Sequence, residues 1–316
     1  MKICLIKTSS MGDVIHTLPA LTDAQQMIPN LAVDWVVEEN FAEIPQWHSA
    51  VNCVIPIALR RWRKSPFASQ TKNEWKTYRT LLQKEHYDAV IDAQGLFKSA
   101  FFATRLAKGT THGYDRHSIR EPIASLFYDK KYAISYQQHA VERIRQLFSL
   151  SLNYELPYSQ GDYGIVQHFT VTSIEPYVIF FHSTTRDDKH WLESEWENLI
   201  EKMTALSVQI RLPWGNEKEK ERAERLAKNY PHVQVLPKLT LTELAKQIAN
   251  ATAVVSVDTG LAHLTAALDK PNITLYGATD PKLIGCYGNN QHYLSAGSMD
   301  RISATQVFEY LNTLIR

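Results

Sequence analysis

The sequence predicts an α/β protein with two domains, each built on an open parallel sheet that helices cover. Short apolar strands alternate with amphipathic helices in the first half of the chain, and a second alternating series begins at Val178. Strands and helices that alternate in this way form parallel sheets with helices on both faces. The length of 316 residues suits two domains of ordinary size. We place them at 1–160 and 177–302, with a connection of no clear period at 151–176.

The first series runs from strand to helix several times. Its predicted strands are 3–7, 33–37, 51–57 and 88–92. One predicted helix begins near residue 14, a second passes through Trp75 and Leu82, and a third covers 140–150. The region 110–135 looks irregular.

The second series has predicted strands at 178–182, 208–212, 233–236, 253–257 and 273–276, and the last of these closes the sheet. A final helix at about 303–316 is expected to pack on the first domain.

Composition excludes several classes of protein. Hydrophobic residues make up 44% and charged residues 21%, as in ordinary globular proteins. A net charge of +1 gives no global attraction for nucleic acid. Three widely spaced cysteines favour a reducing compartment and neither a disulfide framework nor a zinc site. The sequence shows no stretch that suits a transmembrane helix or a signal peptide. We therefore expect a cytoplasmic protein, and attachment to a membrane surface stays open.

Polar turns follow most of the predicted strands. They lie at 8–13, 183–189, 213–219, 236–240, 258–260 and 277–281. In open parallel sheets, ligands bind beyond the carboxyl ends of the strands, so these turns mark the candidate site. With two such domains, the expected place for a ligand is the cleft between them.

One of these turns has the features of a phosphate site. The strand 253–257 runs into Asp258, Thr259 and Gly260, where an apolar-periodic helix begins. The free amides at a helix N-terminus attract phosphate, and Gly260 allows close approach to the backbone. Asp258 and His263 would flank the ligand. A well-capped turn without a ligand explains the same pattern.

Other turns offer partners for a nucleotide. Lys189 with the hydroxyls of Thr184 and Thr185 can neutralise a diphosphate, although Lys189 also fits a solvent-facing loop. Glu219 follows a strand and can bind a ribose hydroxyl, but spacing alone favours a helix-face charge. The sequence lacks the dinucleotide-binding glycine fingerprint and the P-loop. It offers no evident divalent-metal site.

The first domain offers a candidate base and a candidate anion site. Asp13 follows Gly12 in the first turn, where a carboxylate can act as general base or simply cap a helix. His16 is placed behind it or on the helix surface, and His139 fits a core position or a helix cap. A basic segment surrounds Trp62, and Lys98 and Arg120 can add to its charge. The segment contains Arg60, Arg61, Arg63 and Lys64. It favours an anionic acceptor or lipid headgroups, and the alternative is a solvated loop.

Three runs of residues together carry a resemblance to a known family. They are Lys7 to His16 (KTSSMGDVIH), Thr184 to Trp191 (TTRDDKHW) and Ser256 to Leu264 (SVDTGLAHL). In this order, and at matching strand ends, they resemble the ADP-heptose:lipopolysaccharide heptosyltransferases. The resemblance extends over essentially the whole chain and includes Asp92 to Gly95 and the basic segment.

The resemblance implies a GT-B glycosyltransferase with two Rossmann-like domains facing across a cleft. It implies an inverting, metal-independent transfer of the first L-glycero-D-manno-heptose from ADP-L-glycero-β-D-manno-heptose to the Kdo of Kdo-lipid A, in lipopolysaccharide core synthesis. The C-terminal domain would hold the donor and the N-terminal domain the acceptor. The expected enzyme needs no cofactor and no nucleic acid, works as a monomer, and lies at the cytoplasmic face of the inner membrane as a peripheral protein.

The resemblance also assigns roles to single residues. Asp13 would be the base that activates the Kdo hydroxyl. Thr184, Thr185 and Lys189 would contact phosphates, and Glu219 the ribose. The diphosphate and heptose would meet Asp258, Thr259, Gly260 and His263. Leu239 stands where relatives often carry Met beside the adenine, and Ala278 replaces a proline common in the last turn. The acceptor would meet Arg60, Arg61, Arg63, Lys64 and Arg120.

Two alternatives remain at this stage. The first is another GT-B enzyme, such as heptosyltransferase II or a nucleotide-sugar epimerase. The second is a non-enzymatic two-domain protein that binds a small anion. Donor binding would separate the enzymes, and binding without turnover would identify the second alternative.

Overall fold

A computed structural model describes residues 1–172, 175–206 and 208–315. The chain divides into two compact units, Met1–Ile165 and Val166–Arg316. The division falls inside the predicted connection at 151–176. Each unit contains one six-stranded parallel sheet. These two sheets confirm the predicted α/β class.

The first unit is built on strands that are buried on both faces. Near-continuous apolar runs such as KICLI are typical of parallel strands, because helices cover both sides of the sheet. The strands are β1 (Lys2–Ile6), β2 (Ala32–Glu38), β3 (Val51–Ile57), β4 (His86–Asp92), β5 (Lys108–Tyr114) and β6 (Lys130–Tyr132). Their spatial order is β3-β2-β1-β4-β5-β6, the order of dinucleotide-binding sheets. All carboxyl ends therefore lie at one edge.

Seven α-helices accompany this sheet in the described part of the first unit. They are α1 (Met11–Ile15), α2 (Leu18–Met27), α3 (Glu43–Gln46), α4 (Leu59–Trp62), α5 (Ser69–Leu82), α6 (Phe97–Phe102) and α7 (Ala140–Leu152). The predicted first helix is in fact two, because Pro19 occupies the second position of α2, where its missing amide is tolerated.

The second unit repeats the arrangement. Its strands are β7 (Tyr177–Phe181), β8 (Gln209–Leu212), β9 (Val233–Val235), β10 (Ala253–Val257), β11 (Asn272–Tyr276) and β12 (Gln291–Ser295). Their spatial order is β12-β11-β10-β7-β8-β9, which is the first sheet's order read from the other side. The helices are α8 (Glu193–Met203), α9 (Glu217–Ala227), α10 (Leu241–Asn250), α11 (Gly260–Ala267), α12 (Pro281–Ile284) and α13 (Ala304–Ile315).

Three strands were missing from the prediction, and each is an edge strand or the neighbour of one. β5 and β6 lie in the region predicted to be irregular, and β12 follows the strand predicted to close the second sheet. β5 (KGTTHGY) and β12 (QHYLS) are mainly polar, and β6 has three residues. An edge strand leaves one side unpaired and tolerates polar residues, so the apolar pattern that reveals central strands is absent.

The sequence predicts that the last helix packs on the first domain, and the structure shows the apolar face of α13 in the core of the second unit. Val307 and Leu311 of α13 are fully buried in the core of the second unit. The amide of Ala304 donates to Glu195 Oε2 of α8 at 2.6 Å, and Trp191 Nε1 donates to the carbonyl of Ile302 at 2.8 Å. These contacts fix the start of α13 to its own unit, and its amphipathic face completes that core.

Candidate functional site

The polar residues of the second unit converge where β7 and β10 end. These strands are parallel neighbours, so the turns after them leave the same edge of the sheet. Thr184 Oγ1 donates to the carbonyl oxygen of Asp258 at 3.1 Å. Lys189 Nζ lies 2.5 Å from Asp258 Oδ2, and both side chains are largely buried, at 18% and 10% exposure. The structure thus brings together three of the predicted site residues.

The helix that follows Asp258 begins as the sequence predicts. α11 starts at Gly260, and Thr259 is its N-cap in an extended conformation without a side-chain cap hydrogen bond. The first amides of a helix have no intrahelical partner and carry partial positive charge. His263 is buried about one turn into the helix. Beside Lys189, this helix end can attract a phosphate.

A chain of hydrogen bonds supports the turn that carries Thr184 and Lys189. Arg222 of α9 lies with Nη1 at 2.7 Å from His190 Nδ1, and His190 Nε2 lies 2.9 Å from the carbonyl of Thr184. Because a guanidinium can only donate, Nδ1 accepts and Nε2 carries the hydrogen. Arg222 Nη2 also donates to the carbonyl of Trp191 at 2.6 Å. The turn is therefore tied to α9. Sequence reasoning gave no role to His190 or Arg222.

Glu219 sits in a capping arrangement at the start of α9. Its carboxylate accepts from the amide of Gly215 and from Asn216 Nδ2, both at 2.7 Å. Asn216 Oδ1 in turn accepts from the amide of Glu219 at 3.1 Å. The side chain points back to the turn after β8, and this geometry differs from a free charge on the helix face. A carboxylate there can receive a ribose hydroxyl.

The turn after β9 lies next to the turn after β8. Trp214 Nε1 donates to the carbonyl of Leu236 at 2.7 Å, so the two turns are joined. Leu239 is half-buried in the second of them. A half-buried apolar side chain here offers a surface for an aromatic base.

The first unit has a charged cavity at the carboxyl edge of its own sheet. The cavity has a volume of about 110 Å³. Its charged lining residues are Lys7, Asp13, Arg120 and Arg143, and Gln94 and Tyr136 also line it. Three cations and one carboxylate favour an anionic ligand that also carries hydroxyl groups.

Asp13 is the third residue of α1 and is held by the residue before that helix. Its Oδ2 accepts from the amide and the hydroxyl of Ser10, at 2.8 and 2.9 Å. Its Oδ1 lies 3.8 Å from Lys7 Nζ, and 46% of the side chain is exposed. The predicted capping role is therefore real. The capping bonds also fix the direction of a carboxylate that remains accessible.

Lys7 is a cation of this cavity that sequence reasoning did not assign. Its ammonium donates to the carbonyl of Ala93 at 3.0 Å. Burial lowers the pKa of Lys7, and the nearby carboxylates of Asp13 and Asp92 partly oppose that change. The position at the end of β1 was the available signal, because strand ends line the site.

The turn after β4 forms the floor of the cavity. Fully buried Asp92 accepts from the amides of Gln94 and Gly95, at 2.9 and 3.0 Å, and burial raises its pKa. Gly95 has a φ of +66°, a conformation that favours glycine. Gln94 Oε1 accepts from the amides of Thr8 and Ser9. The turn after β4 and the turn after β1 are thus one assembly.

Arg143 of α7 is a further cation that the sequence did not single out. Its guanidinium lies 3.8 Å from the ring centroid of Tyr136 and 4.8 Å from that of Tyr114. Its Nη2 donates to the carbonyl of Ser118 at 2.6 Å. Stacking on two rings holds the charge at the cavity. A lone arginine on an amphipathic helix gives no sequence signal of this kind.

The basic segment is partly helical, because α4 spans Leu59–Trp62. The guanidinium of Arg61 is bound by Glu39 and Glu74, at 2.8 and 2.9 Å, and Arg60 lies over the ring of Phe41. Trp62 is buried and donates to Glu74 at 2.6 Å.

The other cations predicted for the acceptor divide between two places. Arg63 and Lys64 are exposed after α4. Arg120 lines the cavity beside Asp13. The structure therefore brings Arg120 and Asp13 together in one cavity.

Two histidines pack against each other at the start of α7. The rings of His16 and His139 are 5.4 Å apart, edge to face. His139 is the N-cap of α7, and its Nδ1 accepts from the amide of Val141 at 3.2 Å. Of the two explanations offered for His139, the helix cap is confirmed.

Comparison with known proteins shows the family of this chain. The profile of glycosyltransferase family 9 (heptosyltransferase) matches residues 75–309. Lipopolysaccharide heptosyltransferase 1 of Escherichia coli strain K12 is 56% identical, over 99% of this chain and 100% of that protein. The protein of the same name from Pseudomonas aeruginosa is 50% identical, over 94% and 84%. The solved E. coli heptosyltransferase WaaC with ADP is 55% identical with a TM-score of 0.97, over 99% of this chain and 100% of that one.

The fold and the two charged sheet edges define a two-domain glycosyltransferase of the GT-B class. The chain belongs to glycosyltransferase family 9, the heptosyltransferases, and within it groups with the lipopolysaccharide heptosyltransferases 1. The resemblance found in the sequence is confirmed, and the alternative of a non-enzymatic anion-binding protein is wrong.

Two further observations concern metals and membranes. Among the described residues, we find no group of three or more His, Cys, Asp or Glu side chains arranged to hold a metal ion. Metal independence stays a prediction. Within the same residues, none of the helices has both the length and the apolar character needed to span a bilayer.

Proposed function

We propose that this chain transfers the first L-glycero-D-manno-heptose from ADP-L-glycero-β-D-manno-heptose to the Kdo of Kdo-lipid A. The observation that carries the proposal is the cluster of Thr184, Lys189 and Asp258 beside the N-terminus of α11. It supplies the charge and amides that a diphosphate needs, in a chain 55% identical to a heptosyltransferase solved with ADP.

The donor would lie along the carboxyl edge of the second sheet. In this proposal Thr184, Thr185 and Lys189 contact the phosphates, and the α11 amides at Thr259 and Gly260 complete the diphosphate site. Glu219 takes a ribose hydroxyl. Lys189 now holds Asp258 at 2.5 Å, so a bound diphosphate would share or take over that cation.

The rest of the donor would extend on both sides of the diphosphate. Leu239 packs against the adenine. Asp258 and His263 bind toward the heptose, since both are buried next to the helix end.

The acceptor would lie in the cavity of the first unit. A Kdo residue carries a carboxylate and several hydroxyl groups, and the cavity offers Lys7, Arg120 and Arg143 beside Asp13. Arg60, Arg61, Arg63 and Lys64 would meet more distant anionic groups of the lipid A part. This assignment makes cations responsible for acceptor affinity and Asp13 responsible for the reaction.

The transfer follows from these assignments. Asp13 accepts the proton of the attacking Kdo hydroxyl as its oxygen bonds to the anomeric carbon of heptose. The bond from that carbon to the phosphate oxygen breaks, and its electron pair leaves on ADP. Lys189 and the α11 amides stabilise the charge that builds on the departing phosphate. Attack opposite the leaving group inverts the anomeric configuration.

We further propose that the enzyme works without a metal ion or cofactor, as a monomer, on the cytoplasmic face of the inner membrane as a peripheral protein. No nucleic acid takes part. Transfer in the presence of excess EDTA, with the product detected by mass spectrometry, tests the metal assignment. Loss of transfer that is restored by a divalent cation would overturn it.

The donor is tested by thermal unfolding with ADP, UDP and GDP. We expect ADP to raise the unfolding temperature most, because only a ligand that binds the folded state stabilises it. The acceptor is tested with Kdo-lipid A and with an acceptor that already carries heptose. Transfer only to the second acceptor would indicate heptosyltransferase II activity. Conversion of a nucleotide sugar without any acceptor would indicate an epimerase.

A further inference from the structure

Three apolar side chains project from one surface of the first unit. Ile123 and Leu126 lie in the 3₁₀ turn Pro122–Phe127 and are 54% and 76% exposed, and Phe97 at the start of α6 is 39% exposed. In a 3₁₀ turn, residues three apart lie on the same side, so Ile123 and Leu126 point outward together. We call Phe97, Ile123 and Leu126 the apolar ridge.

The apolar ridge rests on a packed aromatic base. The ring of Phe97 lies 5.9 Å from that of Phe127 and 5.5 Å from that of Phe101. The amide of Phe97 donates to Glu121 Oε2 at 2.7 Å, which ties α6 to the residue before the 3₁₀ turn. Both parts of the ridge therefore keep a fixed position relative to each other.

The stretch of chain that carries the ridge is rich in positive charge. The stretch 96–131 contains seven Lys and Arg residues but three Asp and Glu residues, whereas the whole chain has 34 and 33. Lys98 follows Phe97 directly, and the guanidinium of Arg105 lies 3.8 Å from the ring of Phe101. Arg120 precedes the 3₁₀ turn. A surface of this composition is complementary to anionic headgroups above an apolar layer.

The three acidic residues of this stretch have local structural bonds. Glu121 accepts from the amide of Phe97. Asp129 accepts from the amide and hydroxyl of Thr111, both at 2.9 Å. Asp115 accepts from the amide of Ser118 at 2.8 Å. These carboxylates are engaged in turns, so the cations on exposed side chains dominate what a partner would meet.

The ridge also adjoins the cavity that contains Asp13. Leu96 and Arg120 line the cavity. Leu96 directly precedes Phe97, and Arg120 lies two residues before the 3₁₀ turn Pro122–Phe127. A molecule anchored in a bilayer that meets the ridge would therefore have its polar head near the cavity mouth. The continuity of the two surfaces selects a membrane as the occupant.

We propose that the apolar ridge is a membrane-docking surface, which inserts into the interfacial layer of an anionic phospholipid bilayer while the surrounding cations contact its headgroups. The inference rests on the proposed function, because it assumes that the cavity takes an acceptor carried by a membrane lipid. It assigns the apolar contact with the bilayer to Phe97, Ile123 and Leu126, which lie outside the reaction machinery.

The test is co-sedimentation of the full chain with vesicles of phosphatidylglycerol and phosphatidylcholine. We expect binding that weakens as salt is raised and is much weaker on phosphatidylcholine alone. The double variant Ile123→Ser/Leu126→Ser should lower partitioning into the vesicles by about tenfold, because the contact loses two exposed aliphatic side chains that the bilayer would bury only in part. Leu150→Ser is the matched control, since Leu150 of α7 is also exposed, at 49%.

Several outcomes would overturn the proposal. They are unchanged vesicle binding by the double variant, an equal loss in Leu150→Ser, or binding that ignores vesicle charge. A wild-type dimer in sedimentation velocity that the double variant converts to monomer would assign the ridge to a second copy of the chain. Circular dichroism checks folding, and Ile123→Ser alone provides a milder change.

A second measurement separates this proposal from the proposed function. With a short-chain acceptor that stays in solution, the double variant should transfer heptose at the wild-type rate. With acceptor embedded in vesicles, its KM should rise by about tenfold. If the wild type transfers no heptose to either acceptor, the proposed function fails, and vesicle binding still decides the role of the ridge.

Discussion

The two units carry the same strand order, yet the polar edges of their sheets are charged in different ways. In the second unit the main cation, Lys189, already has a partner, because it lies 2.5 Å from Asp258. In the first unit Lys7, Arg120 and Arg143 share a cavity with the single carboxylate of Asp13. At one edge the main cation must share or exchange a partner when an anion binds, and the other edge has positive charge in excess.

This difference suits the two substrates that we propose. A leaving diphosphate needs a cation whose contact strengthens as charge builds, and an exchangeable ion pair provides it. A lipid-borne acceptor needs capture and orientation, which fixed cations provide. The same topology therefore serves two purposes through a few side chains at the strand ends.

The largest expected effect separates reaction from binding at Asp13. Asp13→Asn keeps an acceptor for the amide of Ser10 but cannot take a proton, so kcat should fall by about 10³-fold. ADP affinity, measured by calorimetry, should stay unchanged. Asp13→Ala should match it in kcat while also losing the helix cap. Substantial turnover by Asp13→Asn would remove this carboxylate from the mechanism.

The second prediction tests the exchangeable pair. Lys189→Ala leaves Asp258 without its cation and removes a phosphate partner, so kcat/KM for the donor should fall by about 100-fold. The acceptor KM should change little. Lys228→Ala, at the exposed end of α9, is the control and should behave as wild type. Equal effects of both variants would indicate that only the net charge of the protein matters and that Lys189 has no particular role at the phosphate.

The third prediction compares the stability of the two units as the pH falls. Burial lowers the pKa of His48 in the first unit to about 4 and that of His182 in the second to about 3. Both folded pKa values lie below the value of about 6.5 in an unfolded chain, so the unfolded state binds protons first. The stability that depends on the neutral histidines is therefore fully present above about pH 6.5. At pH 5, protonation linked to each histidine has lowered the free energy of unfolding by about 2 kcal/mol.

Hydrogen exchange resolves this effect unit by unit. His48→Gln should flatten the pH dependence of protection in β1, and His182→Gln that in β7. Between pH 7.5 and pH 5, carboxylates with ordinary pKa values stay largely ionised, whereas buried Asp92, whose pKa burial raises, belongs to the other groups that can bind a proton. A drop in protection that persists in both variants would assign the pH effect to other groups.

The central strands and the turns of both sites followed from the sequence, because a buried parallel strand is apolar throughout and its end must be a polar turn. Asp258, Thr259 and Gly260 illustrate this, since the helix begins at the expected glycine. β5, β6 and β12 did not follow, because polar residues suffice in strands at or beside a sheet edge. Arg143 and His190 were missed for another reason. Their value comes from Tyr114 and Arg222, which lie 29 and 32 residues away in the chain.

The fourth prediction divides the basic segment according to its contacts. Arg63→Gln/Lys64→Gln removes two exposed cations and should raise the acceptor KM by about tenfold with an unchanged donor KM. Arg61→Gln should raise the acceptor KM less and also lower local stability, because Glu39 and Glu74 already bind that guanidinium. An acceptor effect of Arg61→Gln as large as that of the double variant would show that its carboxylate partners release it when substrate binds.

The smallest expected effect tests how rigid the donor turn must be. His190→Asn places an acceptor near the position of Nδ1 and keeps the contact to Arg222, whereas His190→Gln places a donor near Nε2 and keeps the contact to the carbonyl of Thr184. Each loses one hydrogen bond, so the donor KM should rise by about fivefold with little change in kcat. His190→Ala should lose both contacts and show the larger rise.

The two partial variants decide which contact positions the turn. If the bond to Thr184 is the one that matters, His190→Gln should approach the wild-type donor KM and His190→Asn should resemble His190→Ala. The reverse order would indicate that anchoring to α9 matters more, because Arg222 follows Glu219 by about one turn and would then align the phosphate and ribose contacts together. Equal values for all three variants and the wild type would mean that the turn is held without His190.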